Sequence, residues 1–111
     1  MKYLLMLCSD VEYQEDLTEA ILAGCQGWTE EMDRRGRLRL AEGLRPAADA
    51  TTVRVRDAQV LFTDGPFAET KDQIGGFCLL ECDSLEEAVA LAGTHPWAKV
   101  GQIEVRPVWS P

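Results

Sequence analysis

The order of predicted elements points to an α+β chain with a ferredoxin-like βαββαβ core and one inserted β-hairpin. Three observations carry this expectation. With the hairpin set aside, the segments read strand, helix, strand, strand, helix, strand. The first and third of those strands, Lys2 to Cys8 and Phe77 to Cys82, are the two most apolar, as suits central strands covered on both faces. Two right-handed βαβ units in series place those same strands at the centre of an antiparallel sheet.

Each element has its own signal. Lys2 to Cys8 is continuously apolar after its lysine. Its six-residue apolar run superficially resembles a short signal peptide, but it lacks a small-residue cleavage site, so strand is the better reading. Asp16 to Arg35 carries Leu17, Ile21, Trp28 and Met32 at helical spacing, with Ala20, Gly24 and Cys25 beside them. Arg34-Arg35-Gly36 is a helix stop, with cations at the negative end of the dipole. Leu38 to Leu44 reads as a strand and Pro46 to Asp49 as a loop. Thr51 to Arg56 alternates, and Asp57-Ala58-Gln59 turns it back into Val60 to Thr63 as a hairpin. Ser84-Leu85-Glu86-Glu87 is a capping box, and Leu85, Ala88, Val89 and Ala92 are expected as the buried stripe of a second helix that Pro96 ends. Ile103 and Val105 alternate with Glu104 and Arg106 in a last strand.

The bulk composition narrows the function classes. At 111 residues and 46% hydrophobic, residues 1–111 read as one domain, large enough for a core without metals or disulfides. A net charge of −8 argues against nucleic acid, whose phosphates select basic surfaces. No apolar run approaches the roughly 18–20 residues of a membrane span, so no membrane association and a cytoplasmic location are expected. Cys8, Cys25, Cys78 and Cys82 contain no CxxC pair. Cys78 and Cys82, four apart on a strand, stand about 13 Å apart, too far to share one tetrahedral metal. They read as reduced, buried apolar side chains. Neither a Walker loop, a dinucleotide fingerprint nor a nucleophile elbow is present, and Gly75-Gly76 precedes a strand rather than a helix. No metal or other cofactor is expected.

The sheet itself creates a demand. Two helices cover one face, yet Tyr3, Leu5 and Leu7 point one way while Leu4, Met6 and Cys8 point the other. Phe77 and Leu79 likewise oppose Cys78, Leu80 and Cys82. A second copy of the chain is the economical cover for the other face, and a homodimer with packed sheets is expected.

The segment from Thr63 to Phe77, TDGPFAETKDQIGGF, concentrates turn chemistry and charge. Asp64 can serve as a general base or a ligand anchor, or its carboxylate can hold the turn through backbone N–H groups. Glu69, Thr70 and Lys71 can anchor a polar ligand, with Lys71 as cation for a carboxylate or phosphate; equally, Lys71 can pair with Glu69 or Asp72. His95, the one histidine, offers a proton shuttle, or a cation at a helix C-terminus. Phe67, Trp28, Trp97 and Trp109 can line a pocket or fill the core and dimer contacts. Glu104 and Arg106 share a face and can pair near the inter-sheet space.

The same segment resembles the signature of the DGPF-domain, or YCII-related, proteins. The likeness covers nearly the whole chain. The MKYLLML start, Glu42-Gly43-Leu44, TTVRVR from Thr51 to Arg56, Asp64 to Lys71, Gly75-Gly76-Phe77 and Val105-Arg106-Pro107-Val108 are all similar to family segments. The resemblance implies a dimeric α+β barrel with a pocket between each sheet and its loops. It also implies a small bacterial protein, with a possible association to an extracytoplasmic-function sigma factor. In the wider family, a histidine in or before the first helix and a late aspartate are the proposed catalytic pair. Here that helix has no histidine, and Trp28, Glu30 and Glu31 stand in the region. Two functions follow as expectations. One is a dimer binding a small polar organic ligand with lyase-like or isomerase-like acid–base chemistry, using Asp64 and His95 with Phe67, Glu69, Thr70, Lys71, Trp28 and Arg106 as ligand contacts. The other is a non-catalytic accessory protein that assists a sigma factor.

Overall fold

The computed structural model of the protein describes residues 1–9, 19–65 and 73–110. Strand β1 (Lys2–Ser9) pairs antiparallel with β5 (Gln73–Glu81) on one side and β6 (Gln102–Pro107) on the other, while β2 (Leu38–Gly43) flanks β5. The sheet order β2-β5-β1-β6 is the ferredoxin-like arrangement, with the two most apolar strands at its centre. Helices α1 (Glu19–Arg34), α2 (Leu85–Gly93) and the short α3 (Trp97–Val100) complete the described body. Strands β3 (Thr51–Arg56) and β4 (Gln59–Asp64) form a separate two-stranded ribbon, reached from β2 through a 3₁₀ turn at Ala47–Asp49.

Alternation decides which sheet face is buried. Tyr3, Leu5, Cys78 and Leu80 join Trp28, Met32, Cys82, Ala88 and Ala92 in one core, with Leu7, Ile103 and Val105 packed against it. Leu4, Met6, Cys8, Phe77 and Leu79 on the opposite face remain partly exposed, as the odd–even split of β1 requires. Helix α1 stops where expected. The Arg37 N–H donates to Met32 O (2.9 Å) and the Gly36 N–H to Asp33 O (3.0 Å), the paired bonds that close a helix C-terminus. Ser84 Oγ accepts the Glu87 N–H at the start of α2 (3.2 Å).

Three expectations change. The contact row of α2 runs through Ala88 and Ala92 with Leu91 beside it, so Leu85 and Val89 fall on its flank and are exposed. Leu91 lies 60° from Ala88 on the side away from Leu85, and it rotates the buried arc in that direction. Pro96 follows α2 but also opens α3, its φ of −55° and ψ of −32° suiting the first turn of a new helix. The glycine pair lies inside β5, which begins at Gln73. Leu7 pairs with Gly76 but Cys8 with Ile74, so Gly75 is the extra residue of a β-bulge.

Candidate functional site

The partly exposed sheet face holds a concavity of about 550 Å³ bordered by Met6, Cys8, Ile74, Gln102, Ile103, Glu104 and Arg106. Register builds it. Met6 stands opposite Glu104 and Cys8 opposite Gln102 on β6, while the bulge brings Ile74 opposite Cys8 on β5. In a regular ladder without the bulge, Gly75 rather than Ile74 would face Cys8 and the wall would lose its side chain. Arg106 Nη2 donates to Glu104 Oε2 at 2.6 Å, the expected ion pair on the expected face. That bond uses one of five guanidinium N–H donors. The concavity therefore offers an apolar floor from Met6 and Ile74 beside a planar cation and a carboxylate. This is chemistry for a small ligand with an apolar body and an oxyanion or hydroxyl at one end.

His95 lies elsewhere, under the helices, and is 2% exposed. The Trp97 N–H donates to His95 Nδ1 (3.0 Å), which assigns the ring proton of the neutral imidazole to Nε2. Burial lowers its pKa to about 4, so it is not the helix-terminal cation that its sequence position suggests. The Trp28 ring packs on it with centroids 4.6 Å apart. Trp28 Nε1 donates to Thr94 Oγ1 (2.9 Å) and Leu91 O (3.3 Å), fastening α1 to the end of α2. Both side chains thus sit in the helix layer, away from the concavity.

The two layers meet at Cys8. Trp97 Nε1 donates to Cys8 O (2.9 Å), while Cys8 also borders the concavity. Gly101 allows that approach, because a Cβ there would stand 2.4 Å from Cys8 O and 2.6 Å from Trp97 Nε1. Asp64 is exposed at the end of β4, apart from both His95 and the concavity. The adjoining Gly65 peptide is held by its N–H to Ala50 O (2.7 Å) and by the Thr52 hydroxyl donating to Gly65 O (2.8 Å). Phe67, Glu69, Thr70 and Lys71 lie outside the described residues.

A second hollow, of about 430 Å³, is bordered by Arg35, Arg37, Glu87 and Leu91. There Arg37 already bridges Glu87 (3.1 Å) and Asp83 (3.6 Å). Burial raises the Cys78 thiol to about 11, with Cys25 adding to the effect, so Cys78 is an inert core group. Among the described residues no group of three or more His, Cys, Asp or Glu is placed to hold a metal ion. No helix among them is long and apolar enough to cross a membrane.

The sequence profile of the YCII-related domain matches residues 1–110. The chain belongs to that family. An uncharacterized protein of Rhizobium meliloti (strain 1021) is 40% identical to this YCII-related chain over 77 residues, 66% of the chain and 60% of the relative's own length. The chain thus spans less than two thirds of that curated relative. Among solved structures, 5-chloro-2-hydroxyhydroquinone dehydrochlorinase (TftG) from Burkholderia phenoliruptrix, in complex with 2,5-dihydroxybenzoquinone, aligns with a TM-score of 0.57. It is 16% identical, and the alignment covers 99% of this chain and 94% of that one. At that identity the likeness is one of fold.

Proposed function

We propose that this YCII-related protein binds a small polar organic ligand on the open face of its sheet and carries out lyase-like or isomerase-like acid–base chemistry there. The observation that carries this reading is the concavity in which Arg106 and Glu104, 2.6 Å apart, stand over Met6 and Ile74. Arg106 supplies N–H donors to a ligand oxyanion, and Glu104 accepts or returns a proton. The named activity of TftG, dehydrochlorination of a hydroxylated ring, supports the same ligand class and reaction type. A second copy of the chain closes the face, excluding water and strengthening each polar contact. Asp64 remains a candidate acid–base group, from the ribbon.

The test is a thermal-shift screen with benzoate, hydroxybenzoates, short-chain hydroxy acids and inorganic phosphate. A ligand held by the folded state at a hundredfold excess over Kd stabilises it by about 2.7 kcal/mol. The expected result is a rise in Tm with hydroxylated aromatic acids that Arg106→Gln abolishes and Lys99→Gln retains. A response identical in wild type and Arg106→Gln would remove the concavity as the site.

A further inference from the structure

The concavity has a second polar end, apart from its ion pair. Along β6 the side chains of Gln102, Glu104 and Arg106 share the open face, opposite Cys8, Met6 and Leu4 in turn. Arg106 Nη2 reaches back to Glu104 Oε2 at 2.6 Å, so cation and carboxylate together form one pole, at the level of Glu104. Gln102 borders the same concavity two residues earlier, about 7 Å along the strand. Beside this polar edge the floor is apolar, from Met6 and Ile74 with half-buried Cys8.

The backbone holds the amide end in place. Gly101, just before it, donates its N–H to Trp97 O (2.8 Å) and lies so close to Cys8 O and the Trp97 indole that a Cβ has no room. Trp97 Nε1 in turn holds the carbonyl of Cys8 (2.9 Å), the residue opposite Gln102. The start of β6 and its neighbour on β1 are thereby tied to the helix layer, while the Gln102 side chain itself is exposed. Charge decides what that side chain meets. An amide is neutral and both donates and accepts hydrogen bonds. The Glu104 carboxylate stands between Gln102 and Arg106 along the strand, in a chain of net charge −8, so a second anion at Gln102 meets repulsion. A hydroxyl meets none and satisfies the amide in either direction.

We infer that Gln102 is a specificity-determining residue of this site, hydrogen-bonding a neutral hydroxyl at the far end of a ligand whose carboxylate lies on Arg106. The inference rests on the ligand reading above and narrows it. The separation of the two poles suits a single benzene ring substituted at opposite ends, its body over Met6 and Ile74. The ligand class is then a para-hydroxylated aromatic monoacid, in preference to its ortho isomer or to a dianion of the same length.

The experiment is titration calorimetry on the intact chain with five probes: benzoate, salicylate, 4-hydroxybenzoate, 4-methylbenzoate and terephthalate. It is repeated with Gln102→Met, which keeps the side chain's length but removes its amide, and with Arg106→Gln. Both side chains are exposed, and far-UV circular dichroism checks that each variant folds. One net hydrogen bond corresponds to about a fivefold change in affinity. Wild type is therefore expected to bind 4-hydroxybenzoate at least about fivefold more tightly than benzoate, salicylate or 4-methylbenzoate, with terephthalate weakest. In Gln102→Met the ratio of 4-hydroxybenzoate to benzoate affinity should fall to about one. A wild type without the para-hydroxyl preference would overturn the role of Gln102, as would terephthalate bound as tightly as 4-hydroxybenzoate. A preference that survives in Gln102→Met would overturn it too. In each of those cases, benzoate binding that Arg106→Gln abolishes leaves the site itself standing. Failure of wild type to bind any of the five acids would instead remove the site, and the role of Gln102 with it.

Discussion

The His95 imidazole packs 4.6 Å from the Trp28 ring and accepts the Trp97 N–H through Nδ1, so its environment favours the neutral ring. Its pKa falls from the ordinary 6.5 to about 4 because burial disfavours the charged form. Between those values the unfolded chain binds a proton that the native chain refuses, so stability rises with pH across that window. The contribution is complete above about pH 6.5 and is lost as pH falls toward 4, amounting to about 3 kcal/mol at roughly 1.4 kcal/mol per unit. Urea unfolding at pH 7 and pH 4.5 should therefore show wild type losing about 2–3 kcal/mol more than His95→Asn, whose amide oxygen can still accept the Trp97 N–H. Equal losses in the two proteins would mean that other groups carry the acid sensitivity.

The ribbon turn is built at a cost. Asp57 and Ala58 have φ of 51° and 61°, the paired positive values of a two-residue hairpin turn. Aspartate tolerates that region, whereas alanine is strained there by roughly 1–2 kcal/mol, of which glycine returns about half after its own entropy loss. Ala58→Gly should stabilise the ribbon by about 0.5–1 kcal/mol, read as slower hydrogen exchange at Val55 and Val60; no change would show that the turn is not limiting. Elements of this kind differ in how far the sequence reveals them. The centre of the sheet was legible because β1 and β5 are apolar at nearly every position, and the Glu104–Arg106 pair because β6 alternates strictly. The α2 stripe was only half legible, since Leu85 and Val89 have the composition of a core face and only Leu91, packing from the other flank, shows which side is inside. Helix α3 was hidden because a proline that stops one helix is equally suited to start the next. The bulge at Gly75 escaped entirely: bulges depend on the register against a partner strand, which local pattern does not contain, and with it went Ile74 of the concavity; Gln102 escaped for the related reason that only the β1–β6 register sets it opposite Cys8. His95 illustrates the same limit, because its place in the helix layer depends on Trp28 and Trp97, distant in sequence or separated by a turn.

At the scale of the whole molecule, the Cα extents are 47 × 41 × 19 Å and the radius of gyration is 15.6 Å, against about 13 Å for a compact chain of this length. The flat shape follows from helices on one side of a sheet and a ribbon that extends beyond it. Such a shape separates the three indoles optically. Trp28 and Trp97 are buried among the helices, while Trp109, just past β6, is 82% exposed. In native protein, iodide should extinguish only the red-shifted emission of Trp109, leaving a blue-shifted pair that yields only when urea lifts the helices from the sheet. Complete quenching before unfolding would mean that the helix layer opens on its own. One cuvette thus holds two independent lamps: Trp28 and Trp97 report on the integrity of the fold, and Trp109 on whatever approaches the end of β6.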